Sequence, residues 1–124
     1  MAANPISPAV AGTLLVGLRG GLTVGWVAPA TLAKAFGMDP APEPTLPYLM
    51  RLFTARDGAL AFLTAASKGD ARRLVLTTGV VVDVADAVAG VISGATRKVP
   101  PASAALATLT AVAAAALGVI ALRD

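Results

Sequence analysis

Four apolar stretches divide the 124-residue chain, each of roughly the twenty residues that a helical membrane crossing needs. They run from about Ala9 to Ala28, Tyr48 to Ser67, Leu74 to Ser93 and Ala102 to Leu122. In lipid, backbone polar groups are satisfied only inside helices or closed barrels, so the pattern predicts an all-α integral membrane protein. The separators carry matching punctuation. Lys68-Gly69-Asp70-Ala71-Arg72-Arg73 reads as a charged turn, and Arg97-Lys98-Val99-Pro100-Pro101 as a basic stop. Links this short set neighbouring helices antiparallel, and residues 1–124 read as one up-down four-helix transmembrane bundle. Between the first two stretches lies Ala30 to Gly37, too short to span and followed by Pro40, Pro42, Pro44 and Pro47. It reads as a brief interfacial helix closed by Gly37.

Composition agrees. Hydrophobic residues make up 56% of the chain and charged residues 14%, against about 25% charged in soluble domains. The net charge of +3 does not imply a nucleic-acid partner, because the basic residues are scattered and form no basic face. With no cysteine and no histidine, disulfides, thiol catalysis, Cys/His zinc sites and His-held haem are excluded. Ser7, Ser67, Ser93 and Ser103 have no histidine base, so the usual hydrolase triad is excluded too. The expected chemistry needs no cofactor and no metal. The first basic residue is Arg19, so the first stretch lacks the charged start of a signal peptide and is expected to remain as a span. Arginine over lysine, with abundant alanine, points to a GC-rich bacterial genome and hence a multi-pass protein of the bacterial cytoplasmic (inner) membrane. Lys68, Arg72, Arg73 and Arg123 outnumber Lys34, Arg97 and Lys98, which favours cytoplasmic termini under the positive-inside rule.

Gly17, Gly21 and Gly25 recur every four residues on the first helix. Small-residue stripes let helices approach closely in lipid. The stripe reads as packing within one subunit or as a homodimer interface through Gly17, Gly21 and Gly25, with Arg19 nearly opposite. The fourth helix, with Ala107, Ala111, Ala114 and Gly118 on one face and no charge, reads as scaffold.

The charges inside the spans carry the functional signal. Arg19, Arg56, Asp57, Asp83 and Asp86 all sit near the middle of their helices, where an ionised group costs about 2.5–3.5 kcal/mol even on lenient scales. They are therefore expected to face inward and compensate one another, with Arg51 completing the balance. Asp83 and Asp86 share a helix face with Gly79, Gly90 and Gly94. A polar pocket at membrane mid-depth follows, with Asp83, Asp86, Asp57 and Arg56 as catalytic groups. Arg19, Arg51, Trp26, Phe53 and Leu60 are its substrate-binding side chains, the last three as walls. One carboxyl can act as acid and another as base, and an arginine can hold a developing oxyanion. That set suffices for epoxide opening, cyclisation or double-bond migration in a lipophilic small molecule, as in a cyclase, isomerase or epoxide hydrolase. Asp83 is expected to be the most sensitive position. Two other readings stand beside this one: a non-catalytic accessory subunit of a larger membrane assembly, its ion pairs only fixing helix register, and a small transporter. Membrane lipid and a lipophilic small molecule are the expected partners.

Leu18-Arg19-Gly20, Ala35-Phe36-Gly37, Arg51-Leu52-Phe53-Thr54-Ala55-Arg56-Asp57 and Asp83-Val84-Ala85-Asp86 resemble an uncharacterised family of small four-helix membrane proteins from actinobacteria and fungi, a domain of unknown function. The chain is also loosely similar to DoxX-like membrane proteins. The resemblance covers about residues 10–120. It implies the fold and the importance of Arg56, Asp57, Asp83 and Asp86, and it implies no activity.

Overall fold

A computed structural model describes residues 6–123; residues 1–5 and Asp124, the ends of the expected single domain, lie outside the described residues. Within them the chain forms six helices: α1 Pro8–Leu22, α2 Val24–Val27, α3 Pro29–Ala35, α4 Leu46–Ala66, α5 Gly69–Ala95 and α6 Pro101–Ala121. The first expected span is interrupted. Thr23 donates its hydroxyl to the Arg19 carbonyl at 2.8 Å, and its N–H is shared between the Arg19 and Gly20 carbonyls at 3.1 Å each. Back-bonding of this kind competes with the regular helix ladder, and Thr23, at φ −62° and ψ −21°, separates α1 from α2. Ala28, ahead of Pro29, then leaves helical geometry at φ −125°, because a residue before proline is pushed out of the α region. The short helix expected at 30–37 is α3. Gly37 closes it at φ +77°, with Gly37 N–H donating to Lys34 O and Met38 N–H to Ala33 O, both at 2.9 Å. This is the left-handed cap that glycine supplies most cheaply.

The charged turn expected at Lys68–Arg73 is mostly helix. Only Ser67 and Lys68 link α4 to α5, and Gly69, Asp70, Arg72 and Arg73 form the first turn and a half of α5. Asp70 there complements the positive end of the helix dipole, and Arg73 reaches across to the Leu122 carbonyl at 3.1 Å.

Three helical lengths are long and apolar enough to cross a membrane: Pro8–Val27, α5 and α6, with mean hydropathies of 1.4, 1.9 and 2.2. Their outer faces expose large apolar side chains such as Leu74, Val81, Val84, Leu109 and Val112, which in water would be a heavy liability. These features mark a membrane protein. α4 is also 21 residues long, but Arg51, Arg56 and Asp57 lower its apolar character.

The four long helices touch in a closed ring, α1 on α4, α4 on α5, α5 on α6 and α6 on α1. Glycines set the α5–α6 approach. Gly94 faces Ala104, Gly90 faces Thr108, and Gly118 faces Val80, a register that runs antiparallel. The α1 stripe does not form one continuous contact within the subunit. A Cβ at Gly17 or Gly21 would meet no atom, whereas one at Gly25 would strike Leu32 and Thr54. Within the subunit only Gly25 packs, because α1 turns its Gly17–Gly21 face outward.

The ring has two unlike halves. At one end Ala11, Leu15, Leu76, Ala114 and Ala121 form a closed apolar core. At the other, α4 and α5 stand apart around a cavity. The charges lie between.

Candidate functional site

Arg19 projects from α1 into the centre of the ring, where its side chain is only 3% exposed. Its Nη2 donates to Asp83 Oδ2 at 2.6 Å, and its Nη1 donates to Asp83 Oδ1 at 3.1 Å and to Asp57 Oδ1 at 3.0 Å. The fork onto Asp83 is the bidentate geometry in which guanidinium–carboxylate pairs are strongest. Gly79 makes room for it, since a Cβ there would lie 3.0 Å from Arg19 Nη2. Asp57 and Asp83 are themselves buried. One buried cation thus ties three helices together.

A second pair lies alongside. Arg56 donates to both oxygens of Asp86, at 2.6 and 3.3 Å, and these side chains are 39% and 32% exposed. The guanidinium of Arg56 also lies over the Phe53 ring at 5.3 Å, while its Nε is buried without a partner among the described residues. Adjacent in sequence, Arg56 and Asp57 point to different partners, Asp57 to α1 and Arg56 to α5.

The cavity has a volume of about 560 Å³, within the range of small-molecule sites, roughly 300–1,000 Å³. Arg19, Asp57, Asp83 and Asp86 form its ionic side, and Leu18, Leu22, Phe53 and the α6 residues Ala107 and Ala111 much of its apolar side. At the far end stand Phe36, Met38, Ser93, Val99 and Ser103. Of the carboxylate oxygens here, both of Asp83 and both of Asp86 accept from arginine, as does Asp57 Oδ1. Asp57 Oδ2 is the one that no donor reaches among the described residues.

Several expected site residues lie elsewhere. Arg51 is exposed and does not join the ionic cluster. Its Nε donates to the Trp26 carbonyl at 3.0 Å and its guanidinium lies over the Trp26 ring at 5.7 Å. Trp26, 52% exposed, is therefore an outer-face residue and not a pocket wall: its neighbour Gly25 takes the inward side of α2, against Leu32 and Thr54. Leu60 is half-buried and outside the cavity lining, leaving Phe53 as the one expected wall that lines it. Arg56 does not line the cavity but holds Asp86, which does. The fourth helix, read as scaffold, supplies an entire wall from Ser103 to Ala114. Its small residues signal space as much as close packing, and the sequence alone does not separate the two. Ser103 had no distinguishing signal: it is 1% exposed, lines the cavity, and its Oγ has no hydrogen-bond partner among the described residues.

Among the described residues no group of three metal-ligating side chains is set out to hold an ion. No protein-family model, curated protein or solved structure matches the chain.

Proposed function

We propose that the protein is a membrane-embedded acid–base enzyme that isomerises, cyclises or opens the epoxide of a lipophilic small molecule. The observation that carries this reading is Asp57 Oδ2, an unbonded carboxylate oxygen in a largely apolar cavity. The cluster holds three carboxylates against two guanidiniums, and one proton completes its balance. An uncompensated charge in an apolar site is costly, and Oδ2 is where that proton has room. In the reaction, the Asp57 carboxyl gives its proton to an alkene carbon or an epoxide oxygen, in the latter case as the C–O bond breaks. An internal double bond supplies the electron pair that quenches the cation and the last C–H proton returns to the Asp57 carboxylate; in the hydrating case a water molecule adds instead and gives its spare proton to that carboxylate. Arg19 holds Asp57 in place through Oδ1 and stays paired with Asp83. Asp86, held by Arg56, keeps negative charge near the cationic intermediate. In this assignment Asp57, rather than Asp83, becomes the sensitive position, since Asp83 has no free oxygen.

The reading includes a four-span, up-down bundle in the bacterial inner membrane, with both termini cytoplasmic. α4 serves as the fourth crossing: Asp57 is buried, Arg56 is paired, and Arg51 lies near enough to the helix start to reach the interface.

The test uses purified protein in nanodiscs, a panel of isoprenoid alkenes and terminal epoxides, and deuterium oxide as solvent. The expected result is deuterium incorporated at carbon, or a cyclised or hydrated product. Asp57→Asn should lose this activity by about 10²-fold or more, the scale of general acid–base catalysis, while keeping its melting temperature. Wild-type protein that binds these compounds without exchange or conversion would remove the proposal.

A further inference from the structure

Resting on that reading, we infer that the substrate is an elongated amphiphile: its oxygenated head is held at Ser103 and its far, reactive end lies at Asp57. The α5–α6 register gives the placement. Gly94 is opposite Ala104, Gly90 opposite Thr108 and Val80 opposite Gly118. Asp83 is therefore level with the Ala114 end of the α6 wall, and Ser103 lies at the other end, beside the Thr96–Pro100 turn. From Ser103 to Ala114 the wall is about 17 Å long at the α-helical rise.

Two polar points thus mark the ends of one long apolar cavity. The ionic end is at mid-length of the helices. The Ser103 end is at their margin, where Phe36 and Met38 from the segment ending and following α3 also line it. A hydroxyl buried without a partner costs free energy, and Ser103 Oγ is such a group. It packs against Gly37, where a Cβ would come within 3.1 Å of Oγ, so glycine lets the backbone lie close against one side of the hydroxyl, and a ligand approaches from the cavity that Ser103 lines. A hydroxyl, carbonyl or ether oxygen on a ligand satisfies Ser103, while a chain of methylenes or isoprene units matches the apolar walls between. The length exceeds half of the ~30 Å hydrocarbon layer. An amphiphile standing in one leaflet, its head at the surface and its tail at mid-depth, already has the required posture. The chemistry then falls on the tail end, far from the polar head.

Position-specific photolabelling tests this. Tetradecanol carrying a diazirine at its terminal carbon should label residues near the ionic end, such as Leu22 and Phe53. Tetradecanol with the diazirine beside the hydroxyl should label Met38, Val99 or α6 near Ser103. Ser103→Ala, close in shape to the parent, should weaken tetradecanol binding about 3- to 10-fold, the worth of one hydrogen bond, and leave binding of tetradecane unchanged. Reversed labelling, identical labelling by both probes, or equal affinity of Ser103→Ala for the alcohol would overturn the inference. These readouts need no turnover. Ordered labelling in a protein without deuterium exchange would sink the acid–base reading alone, and exchange with reversed labelling would sink the head-and-tail assignment alone.

Discussion

Arg19 is the one cation that satisfies two buried carboxylates on two other helices, and its removal should be felt beyond α1. Breaking a buried pair costs roughly 3–5 kcal/mol, because a charge is left uncompensated. Arg19→Gln leaves Asp83 charged without a partner and Asp57 Oδ1 without its donor, whereas Asp83→Asn leaves Arg19 bonded to Asp57, so Arg19→Gln should lower the melting temperature in detergent more than Asp83→Asn does. Combining Arg19→Gln with Asp83→Asn should restore a large part of the loss, since the double variant removes one charge of each sign. Simple addition of the two losses would show that the groups do not act as a unit. The inward convergence of these charges was legible in the sequence, because a mid-helix charge has few affordable places in lipid. Which aspartate met which arginine was not. Arg56 and Asp57 are about 100° apart on their helix, and small differences in helix rotation decide that each serves a different neighbour.

At the scale of elements, glycine spacing proved a less direct guide than charge. Gly79, on the expected face of α5, seats the Arg19 guanidinium, and Gly90 and Gly94 bring α6 close. The α1 stripe has the more regular spacing, yet Gly17 and Gly21 face outward and only Gly25 is filled by neighbours. The regular α1 pattern is interrupted at Thr23, which bonds back to the preceding turn and separates Gly17 and Gly21 on α1 from Gly25 on α2. On the same short helix Trp26 faces away from the pocket and lies against Arg51. Gly25→Leu should therefore cost about 1–3 kcal/mol by overpacking, measured by thermal unfolding in detergent. Gly21→Leu should keep the parental melting temperature. A destabilised Gly21→Leu would mean that the outer face of α1 is packed after all. Loss of a dimer by this variant alone, read by size-exclusion with light scattering, would assign that face to a homodimer formed through Gly17 and Gly21 without Gly25.

Across the whole molecule, one half is a closed apolar core and the other an open cavity, with the ionic cluster between them. This division has no counterpart in the composition of the four long helices. It follows from where glycine and alanine let backbones meet and where α4 and α5 stay apart. The arrangement places Asp57 at the depth a lipophilic chain can reach only if α4 crosses the membrane as α1, α5 and α6 do. Its charges are compatible with that course, because Asp57 and Arg56 have ion partners on α1 and α5. The chain has no cysteine, so single cysteines report topology without background. Thr45 precedes α4, Lys68 lies between α4 and α5, and Thr96 follows α5, all three exposed. At the α-helical rise α5 is about 40 Å long, longer than the ~30 Å hydrocarbon layer, so Lys68 and Thr96 should face opposite compartments. Thr45→Cys and Thr96→Cys should react with an impermeant maleimide from one side, and Lys68→Cys from the other. Labelling of Thr45→Cys together with Lys68→Cys would leave α4 lying along the membrane surface. Asp57 would then be open to water, and the cavity would lose the apolar setting on which its proton chemistry depends.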